Sequence, residues 1–258
     1  NKLGGDLCSI RKSGDLLKKA MMAEGLDKVE YIWASDVVSD PSYWETFIKT
    51  AKNTTLPRLN RALPIMGRTE NDSAKDFGMY IYPIMQVTDI FHLKVDIAFG
   101  GMDQRHAHML ARDISDRLKI KKVISVHGPL LSSLKGNQRM DSFVKMSKSD
   151  PSSAVFMSDD GKAIEKKIRS AYCPIGTIEG NPVVDILRYV ILPYYKEEIA
   201  INRPSGNLKV ASFETFKEAY EKQEIHPSDL KNTVSGILNE MVEPARKIIE
   251  NTDLSFLK

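Results

Sequence analysis

The chain has 258 residues, 42% hydrophobic and 28% charged, which is typical of a globular protein with one large domain or two ordinary ones. It contains no apolar run of about 18 residues, so no membrane-spanning helix is implied. The net charge of +3, from 37 basic and 34 acidic residues, neither requires nor excludes a nucleic-acid partner.

The first region, residues 1 to about 75, is predicted to be mostly helical. Ser13–Gly25 carries apolar residues near helical spacing and ends at a glycine, and a second helix is predicted over Tyr43–Thr54. A short strand is expected between them at Val29–Trp33. The polar segment Glu70–Lys75 is expected to form a surface loop.

The second region, from about residue 79 to 158, alternates strands with a helix. Two apolar runs, Val95–Phe99 and Lys122–Val126, enclose a predicted helix over Gln104–Leu118. This order predicts a βαβ unit with a parallel sheet and a right-handed connection. Because ligands bind at the carboxyl ends of such strands, a site is expected at Gly100–Gln104.

The third region, from about residue 159 to 258, is predicted to consist of helices joined by turns that contain Pro and Gly. The expected segments are helices Gly161–Ala171, Pro182–Leu192, Ser212–Lys222 and Pro227–Asn251, with an extended piece at Asn207–Val210. We therefore expect two domains, an α/β nucleotide-binding domain over residues 1–158 and an α-helical domain over residues 159–258.

The sharpest candidate site is Lys145-Met146-Ser147-Lys148-Ser149. Two lysines three positions apart, with hydroxyl groups beside them, can form a mobile clamp on polyphosphate. Lysine is a compact point charge that can follow phosphate as charge moves to the leaving group. The spacing does not fit the G-x-x-x-x-G-K-[ST] phosphate loop. A solvated basic loop is the alternative interpretation.

A second candidate site is Gly100-Gly101-Met102-Asp103-Gln104, directly after a predicted strand. Paired glycines let a ligand approach the backbone, and the following helix N-terminus favours anionic or acceptor groups. Asp103 suits ribose hydroxyls, and Gln104 offers a donor and an acceptor to a small polar substrate. An ordinary strand-to-helix turn with a polar cap is the alternative.

The third candidate site is the segment Tyr82–Asp89. If Pro83 opens a helix, then Tyr82, Gln86 and Asp89 stand at positions i, i+4 and i+7 and share one face. A phenol, an amide and a carboxylate on one face of an otherwise apolar helix are typical of a pocket wall. A buried polar network with a structural role is the alternative.

These three segments, in this order, resemble the tyrosyl-tRNA synthetases of the archaeal and eukaryotic type. K-M-S-K-S is shared by class I aminoacyl-tRNA synthetases generally, whereas Y-P-I-M-Q-V-x-D followed by G-G-M-D-Q-R is much narrower. The resemblance covers nearly the whole chain, since further similar segments are Leu3–Leu7 with Arg11, Ala171–Pro174, Arg203–Pro204 and His226–Lys231.

The resemblance implies a Rossmann-like parallel-sheet catalytic domain, incomplete at its N-terminus, followed by an α-helical anticodon-binding domain. It implies that L-tyrosine is activated with ATP and transferred to tRNA(Tyr) by a cytoplasmic homodimer without membrane association. ATP would be a substrate accompanied by Mg²⁺, and no zinc or tightly bound cofactor is expected. The family's His-x-Gly-His-type motif is absent, so we expect a segment upstream of Asn1 and an inactive chain without it.

For tyrosine, the resemblance assigns four residues. Tyr82, Gln86 and Gln104 would hold the substrate ammonium and its surroundings, and Asp89 would accept a hydrogen bond from the substrate phenol.

For ATP, the resemblance assigns four more residues. Gly101 and Asp103 would line the adenosine site. Lys145 and Lys148 would be the catalytic residues, stabilising pyrophosphate as it leaves.

For tRNA, the resemblance places Arg61 at the first base pair of the acceptor stem and His226 and Asp229 at the anticodon. The family often has an aromatic residue near Arg203–Pro204 that stacks on an anticodon base, and this turn has none. His226 or Phe213 could take that role, and the sequence leaves the choice open.

Two other functions remain open from the sequence. A tryptophanyl-tRNA synthetase shares the fold and the lysine loop, but an indole offers one donor and does not match Asp89 with Gln86 and Tyr82. A non-catalytic tRNA-binding relative is the second alternative, and the intact lysine loop and glycine pair argue against it.

The histidines and cysteines are expected to have structural roles. His92, His106, His108 and His127 share no metal-ligand spacing with one another or with the two cysteines. Cys8 and Cys173 are far apart and are expected to be free thiols in a reducing cytosol.

Overall fold

The computed structural model describes residues 6–62, 77–136, 146, 150–195 and 198–257. The chain divides into two compact units. One unit is Tyr31–Leu130, and the other joins Asn1–Glu30 to Leu131–Lys258. Among the described residues, no helix has the length and apolarity needed to cross a bilayer.

The unit Tyr31–Leu130 contains the predicted βαβ arrangement. Its described elements are helices α2 (Ala34–Val38), α3 (Pro41–Lys52), α4 (Leu56–Asn60), α5 (Gly78–His92) and α6 (Arg105–Leu118), with strands β1 (Ile97–Gly101) and β2 (Ile124–Gly128). The two strands pair in parallel, with Ile97 opposite Ile124 and Gly101 opposite Gly128. The predicted parallel sheet is therefore confirmed, and β1 ends at the glycine pair.

Both strands begin two residues later than predicted, because the preceding helices close with left-handed lysines. Lys94 has φ 52°, and the N–H of Val95 bonds to the carbonyl of Ile90 at 3.0 Å. Lys119 has φ 55°, and the N–H of Ile120 bonds to the carbonyl of Ser115 at 3.0 Å. This helix-terminating geometry satisfies the last carbonyls of each helix and assigns Val95 to the helix end rather than to the strand.

The core of this unit lies between α5, α6 and one face of the sheet. Leu110 and Ala111 of α6, Val87 of α5 and Ala98 of β1 are buried in one apolar cluster. Side chains alternate along a strand, so the neighbours of Ala98 point the opposite way. Phe99 is 75% exposed, and the described residues cover only one face of the sheet.

The short strand predicted at Val29–Trp33 is wrong. The segment forms a turn followed by irregular chain rather than a strand, and Trp33 directly precedes α2. The β-branched residues that suggested a strand, Val29 and Ile32, are 47% and 51% exposed. A strand is stable only when a neighbour pairs with it, and residue type alone does not supply one.

Pro83 was predicted to open a helix, but it lies inside α5. Proline already has a helical φ and forfeits one backbone hydrogen bond near the start of the helix. The apolar side chains that α5 buries, including Ile84, Val87 and Phe91, offset that loss. The helical spacing of Tyr82, Gln86 and Asp89 is unaffected by the correction.

The second unit is helical with one short hairpin of strands. Its described elements are α1 (Leu7–Ala23), α7 (Gly161–Ser170), α8 (Pro182–Ile186), α9 (Leu192–Tyr194), α10 (Phe213–Glu221), α11 (Pro227–Met241), α12 (Glu243–Glu250), β3 (Ile199–Ile201) and β4 (Leu208–Val210). A π-helical turn over Leu187–Ile191 joins α8 to α9. The predicted helices in this region are confirmed apart from the last. The domain boundary at residues 158 and 159 stays a prediction.

Two helix ends in this unit differ from the prediction. Helix α1 begins at Leu7, because the Asp6 carboxylate caps it by accepting from the N–H groups of Cys8 and Ser9. The helix predicted over Pro227–Asn251 breaks at Val242. Pro244 causes the break, since it has no N–H and its ring would clash with a carbonyl one turn back.

Candidate active site

Helix α5 presents the three polar residues that the sequence singled out. Tyr82 is 53% exposed, whereas Gln86 and Asp89 are partly buried. Gln86 and Asp89 are three residues apart, about 4.5 Å along the helix axis at about 1.5 Å per residue. This face therefore carries an amide and a carboxylate one turn apart, with a phenol at its exposed end.

Gln86 contacts a residue from a different predicted motif. Its Nε2 donates to Oε1 of Gln104 at 2.7 Å. Its own Oε1 is buried and has no hydrogen-bond partner in the part of the chain that the structure describes. Buried polar atoms are normally satisfied, so an unpaired acceptor beside a second amide indicates a place for a donor that comes from a ligand. An ammonium group, with three N–H donors, has the matching chemistry.

The two glycines at the end of β1 are required by the side chains that follow them. A Cβ on Gly100 would lie 3.1 Å from Cγ of Gln104, and a Cβ on Gly101 would lie 2.7 Å from Oδ1 of Asp103. The absent side chains let Gln104 and Asp103 fold back over the strand end. Gly101, Asp103 and Gln104 are thus gathered at one turn, as the sequence predicted.

Asp89 has a partner that sequence reasoning missed. The hydroxyl of Tyr43, on α3, donates to Oδ1 of Asp89 at 2.8 Å. Burial raises the pKa of Asp89, while this hydrogen bond and the charge of His92 lower it. Burial and the neighbouring carboxylate both raise the pKa of Tyr43, so its phenol stays protonated and remains a donor. The sequence around Tyr43 contains no pattern that predicts a contact with a residue 46 positions away.

A second missed contact joins two of the histidines that were assigned no metal spacing. Nδ1 of His108 lies 3.0 Å from Nε2 of His127. Burial and the neighbouring His127 lower the pKa of His108, so this ring is neutral and the pair shares one hydrogen bond. His108 lies against Gly100, and His127 is opposite Gly100 in the sheet. The pair therefore lies beside Gly100, near the carboxyl end of β1.

The lysine loop falls largely beyond what the structure describes. Lys145 and Lys148 are outside the described residues. Met146, between them, donates its N–H to the carbonyl of Leu131 at 3.2 Å and packs partly buried against an apolar core. Met146 is thus fixed by a backbone hydrogen bond and by apolar packing. The roles of Lys145 and Lys148 stay predictions.

The residues predicted to meet tRNA lie on two different units. Arg61 caps the end of α4, is exposed, and donates to the carbonyl of Pro57 at 3.4 Å. His226 caps α11, where its Nδ1 accepts from the N–H of Ser228 at 3.2 Å. Asp229 lies in the first turn of α11.

Phe213 was considered as the residue that stacks on an anticodon base, but Arg188 already covers one face of its ring. The guanidinium carbon of Arg188 lies 4.3 Å from its ring centroid. Between the two residues considered for stacking, His226 is therefore the more accessible one, although its imidazole is engaged as a helix cap.

Metal-ligand chemistry is not apparent in the described part of the chain. No group of three or more His, Cys, Asp or Glu side chains there could hold a metal ion. Both cysteines are free.

Comparison with known proteins identifies similar sequences and structures. The family "tRNA synthetases class I (W and Y)", named for tryptophan and tyrosine, matches residues 7–243. The tyrosine–tRNA ligase of Thermoplasma volcanium is 62% identical over 255 residues, covering 99% of this chain and 77% of the relative.

Solved structures give the same result. Tyrosyl-tRNA synthetase from Aeropyrum pernix has a TM-score of 0.84 at 40% identity, covering 96% of this chain and 71% of its own. The structure from Pyrococcus horikoshii, complexed with L-tyrosine, has a TM-score of 0.86 at 36% identity, covering 96% of this chain and 74% of its own.

Proposed function

Since the chain belongs to the class I tyrosyl-tRNA synthetases, we propose that it activates L-tyrosine with ATP and transfers the tyrosyl group to tRNA(Tyr). The tryptophan alternative is set aside, because the relatives at 55% identity or more carry the name tyrosine–tRNA ligase. The same names argue against a non-catalytic relative.

The observation that carries the proposal is the side-chain carbonyl of Gln86, which no described residue pairs, one turn from a carboxylate. The tyrosine ammonium would donate to Oε1 of Gln86, which Gln104 holds in place. The substrate phenol would donate to Asp89 at the other end. A phenol bonded to a carboxylate is a charge-assisted hydrogen bond, stronger than a neutral one. Tyr82, at the exposed end of this face, would border the ammonium.

The adenosine of ATP is proposed to bind at the turn after β1. Gly101 would let the nucleotide lie against the backbone, and Asp103 would accept from ribose hydroxyls. Mg²⁺ would enter with ATP, as part of the substrate complex. Lys145 and Lys148 would hold the terminal phosphates.

The proposed chemistry needs no covalent enzyme nucleophile. In the first step the tyrosine carboxylate attacks the α-phosphate of ATP and expels pyrophosphate. In the second, a terminal ribose hydroxyl of tRNA takes the tyrosyl group and AMP leaves. The protein contributes positioning and stabilisation of the charge that develops on the leaving group.

The assignment of separate functions to the two domains is also a proposal. Residues 1–158 would carry the catalytic domain and residues 159–258 the anticodon-binding domain. Arg61 would meet the first base pair of the acceptor stem, and His226 and Asp229 would meet the anticodon. The enzyme is proposed to act as a homodimer in the cytoplasm.

Amino-acid-dependent pyrophosphate exchange on the full-length protein tests the function directly. Tyrosine should support exchange with a much higher kcat/KM than tryptophan or phenylalanine. Exchange driven preferentially by tryptophan would select the sister enzyme. Exchange with none of the three would favour a protein that binds tRNA without activating an amino acid.

Asp229→Ala is expected to raise KM for tRNA(Tyr) about tenfold and leave tyrosine-dependent exchange unchanged, since a polar base contact carries roughly 1–3 kcal/mol. Charging and exchange are measured side by side. Glu214→Ala is the matched control, because Glu214 is also an acidic residue in the first turn of a helix. Both substitutions remove a favourable charge from a helix N-terminus. Equal loss of charging and exchange in Asp229→Ala would indicate a folding defect and remove the anticodon role.

A further inference from the structure

We propose that Tyr43 is a positioning residue for tyrosine recognition, holding one oxygen of Asp89 so that the other is free for the substrate phenol. This inference rests on the proposed tyrosine site. It adds a residue on a different helix from any that the sequence motifs contained.

The position of the Tyr43 hydroxyl is fixed by the core around it. Its side chain is completely buried on α3, which packs against α5. The ring makes edge contacts with Trp44 and His92, at centroid separations of 5.6 and 5.4 Å. Because the ring is buried and contacts two other rings, rotation of the Tyr43 side chain is restricted. Its hydroxyl therefore stays in position to donate to Asp89.

The hydroxyl has one proton and two acceptors within reach. Oδ1 of Asp89 lies at 2.8 Å and the carbonyl of Met85 at 3.3 Å. The shorter distance and the negative charge both favour the carboxylate as acceptor. Oδ2 of Asp89 has no hydrogen-bond partner among the described residues. One carboxylate oxygen is therefore committed to the protein, and the other remains an acceptor.

The same hydrogen bond bears on the charge of Asp89. Burial disfavours the carboxylate and raises the pKa of Asp89, and the Tyr43 hydroxyl works against that shift. The titratable groups that act on Asp89 from the described helices are Tyr43 on α3 and His92 on α5 itself, both lowering its pKa. Removing the hydroxyl leaves His92 as the remaining group that favours the ionised form, which is the form that accepts from a phenol.

A purely structural Tyr43 would fill the core without affecting recognition. Tyr43→Phe separates the two roles, because phenylalanine keeps the ring and its edge contacts and removes the hydroxyl. The phenol contact is made equally in the bound substrate and in the transition state. Its weakening should therefore raise KM for tyrosine and leave kcat nearly unchanged.

The test is pyrophosphate exchange by full-length wild type and Tyr43→Phe, with tyrosine and with phenylalanine. KM for tyrosine should rise about 5- to 30-fold, less than for the full loss of a hydrogen bond to a charged group, because Asp89 still contacts the substrate phenol. KM for ATP and kcat/KM for phenylalanine should not change. The acid limb of the pH profile of kcat/KM for tyrosine should move to higher pH, because Asp89 loses a bond that favours its ionised form.

The matched control is Tyr220→Phe, which removes another completely buried phenol in the other unit. Its hydroxyl donates to the carbonyl of Pro174 at 2.9 Å. This variant should change neither KM for tyrosine nor the pH profile.

Partial unfolding of Tyr43→Phe is separable from the proposed effect. KM does not depend on the fraction of active enzyme, so unfolding lowers the apparent kcat alone. An unchanged KM for tyrosine together with an unmoved acid limb overturns the positioning role. Absence of tyrosine-dependent exchange in the wild type overturns the proposed function instead.

Discussion

Asp89→Ala is expected to lower kcat/KM for tyrosine about 10- to 150-fold without lowering kcat/KM for phenylalanine. A hydrogen bond to a charged group contributes roughly 1.5–3 kcal/mol, and each tenfold change in kcat/KM corresponds to about 1.4 kcal/mol. Phenylalanine makes no such bond, and removing the carboxylate relieves it of burying an unpaired oxygen, so its kcat/KM should not fall. The preference for tyrosine over phenylalanine should narrow by at least the factor that tyrosine loses.

The physical basis of this preference is the cost of an unpaired buried group. A site that hydrogen-bonds a hydroxyl rejects the analogue that lacks it, and tyrosine-charging enzymes are themselves a standard example of this rule. Asp89 is partly buried, so its carboxylate is poorly hydrated, and this burial raises its pKa. Phenylalanine bound against it would bury Oδ2 without a partner.

Exchange kinetics with the two amino acids measure the effect. Asp89→Asn should give an intermediate loss, because the amide keeps an acceptor but lacks the charge. Asp96→Ala is the control, since Asp96 is an exposed carboxylate of the same unit, paired with Lys121 at 2.6 Å. If Asp89→Ala keeps the full preference for tyrosine, Asp89 does not contact the substrate phenol. The proposal that this face of α5 forms the tyrosine pocket would then be wrong as well.

Lys148→Ala is expected to lower kcat for tyrosyl-adenylate formation about 10²–10³-fold with little change in KM for tyrosine. The size follows the loss of one preorganised group that stabilises charge developing in a transition state. Negative charge grows on pyrophosphate as the bond to the α-phosphate breaks. A lysine that contacts it at that stage lowers the barrier without strengthening the binding of tyrosine.

Single-turnover formation of the adenylate isolates this step from product release. Lys209→Ala serves as the control, because Lys209 is an exposed lysine whose charge is paired with Glu198 at 3.2 Å. Lys145→Ala should reproduce the defect of Lys148→Ala if both lysines form the clamp. Normal adenylate formation in Lys148→Ala would favour the alternative interpretation, in which the motif is a solvated basic loop without a catalytic role.

The sequence by itself determined the helices whose stability is local. The helices predicted over Gln104–Leu118 and Gly161–Ala171 agree with α6 and α7 within one residue at each end. Helical hydrogen bonds join residues four apart, so apolar periodicity, caps and prolines contain most of the information. The parallel pairing of β1 with β2 also followed from the order of strand, glycines, helix and strand.

The sequence also placed the candidate site at the end of β1 and on the face of α5. It did so because each motif is contiguous, and because parallel strands present their carboxyl ends at one edge. The name of the substrate came from the resemblance of those motifs to a family.

Only the tertiary structure decided which side chains meet. Gln86 and Gln104 are 18 residues apart, His108 and His127 are 19 apart, and Tyr43 and Asp89 are 46 apart. No local pattern encodes such contacts, because they depend on how whole helices pack against one another and against the sheet. The same reason explains the strand wrongly expected at Val29–Trp33, since strand formation depends on pairing with a distant segment and residue type alone does not specify that pairing.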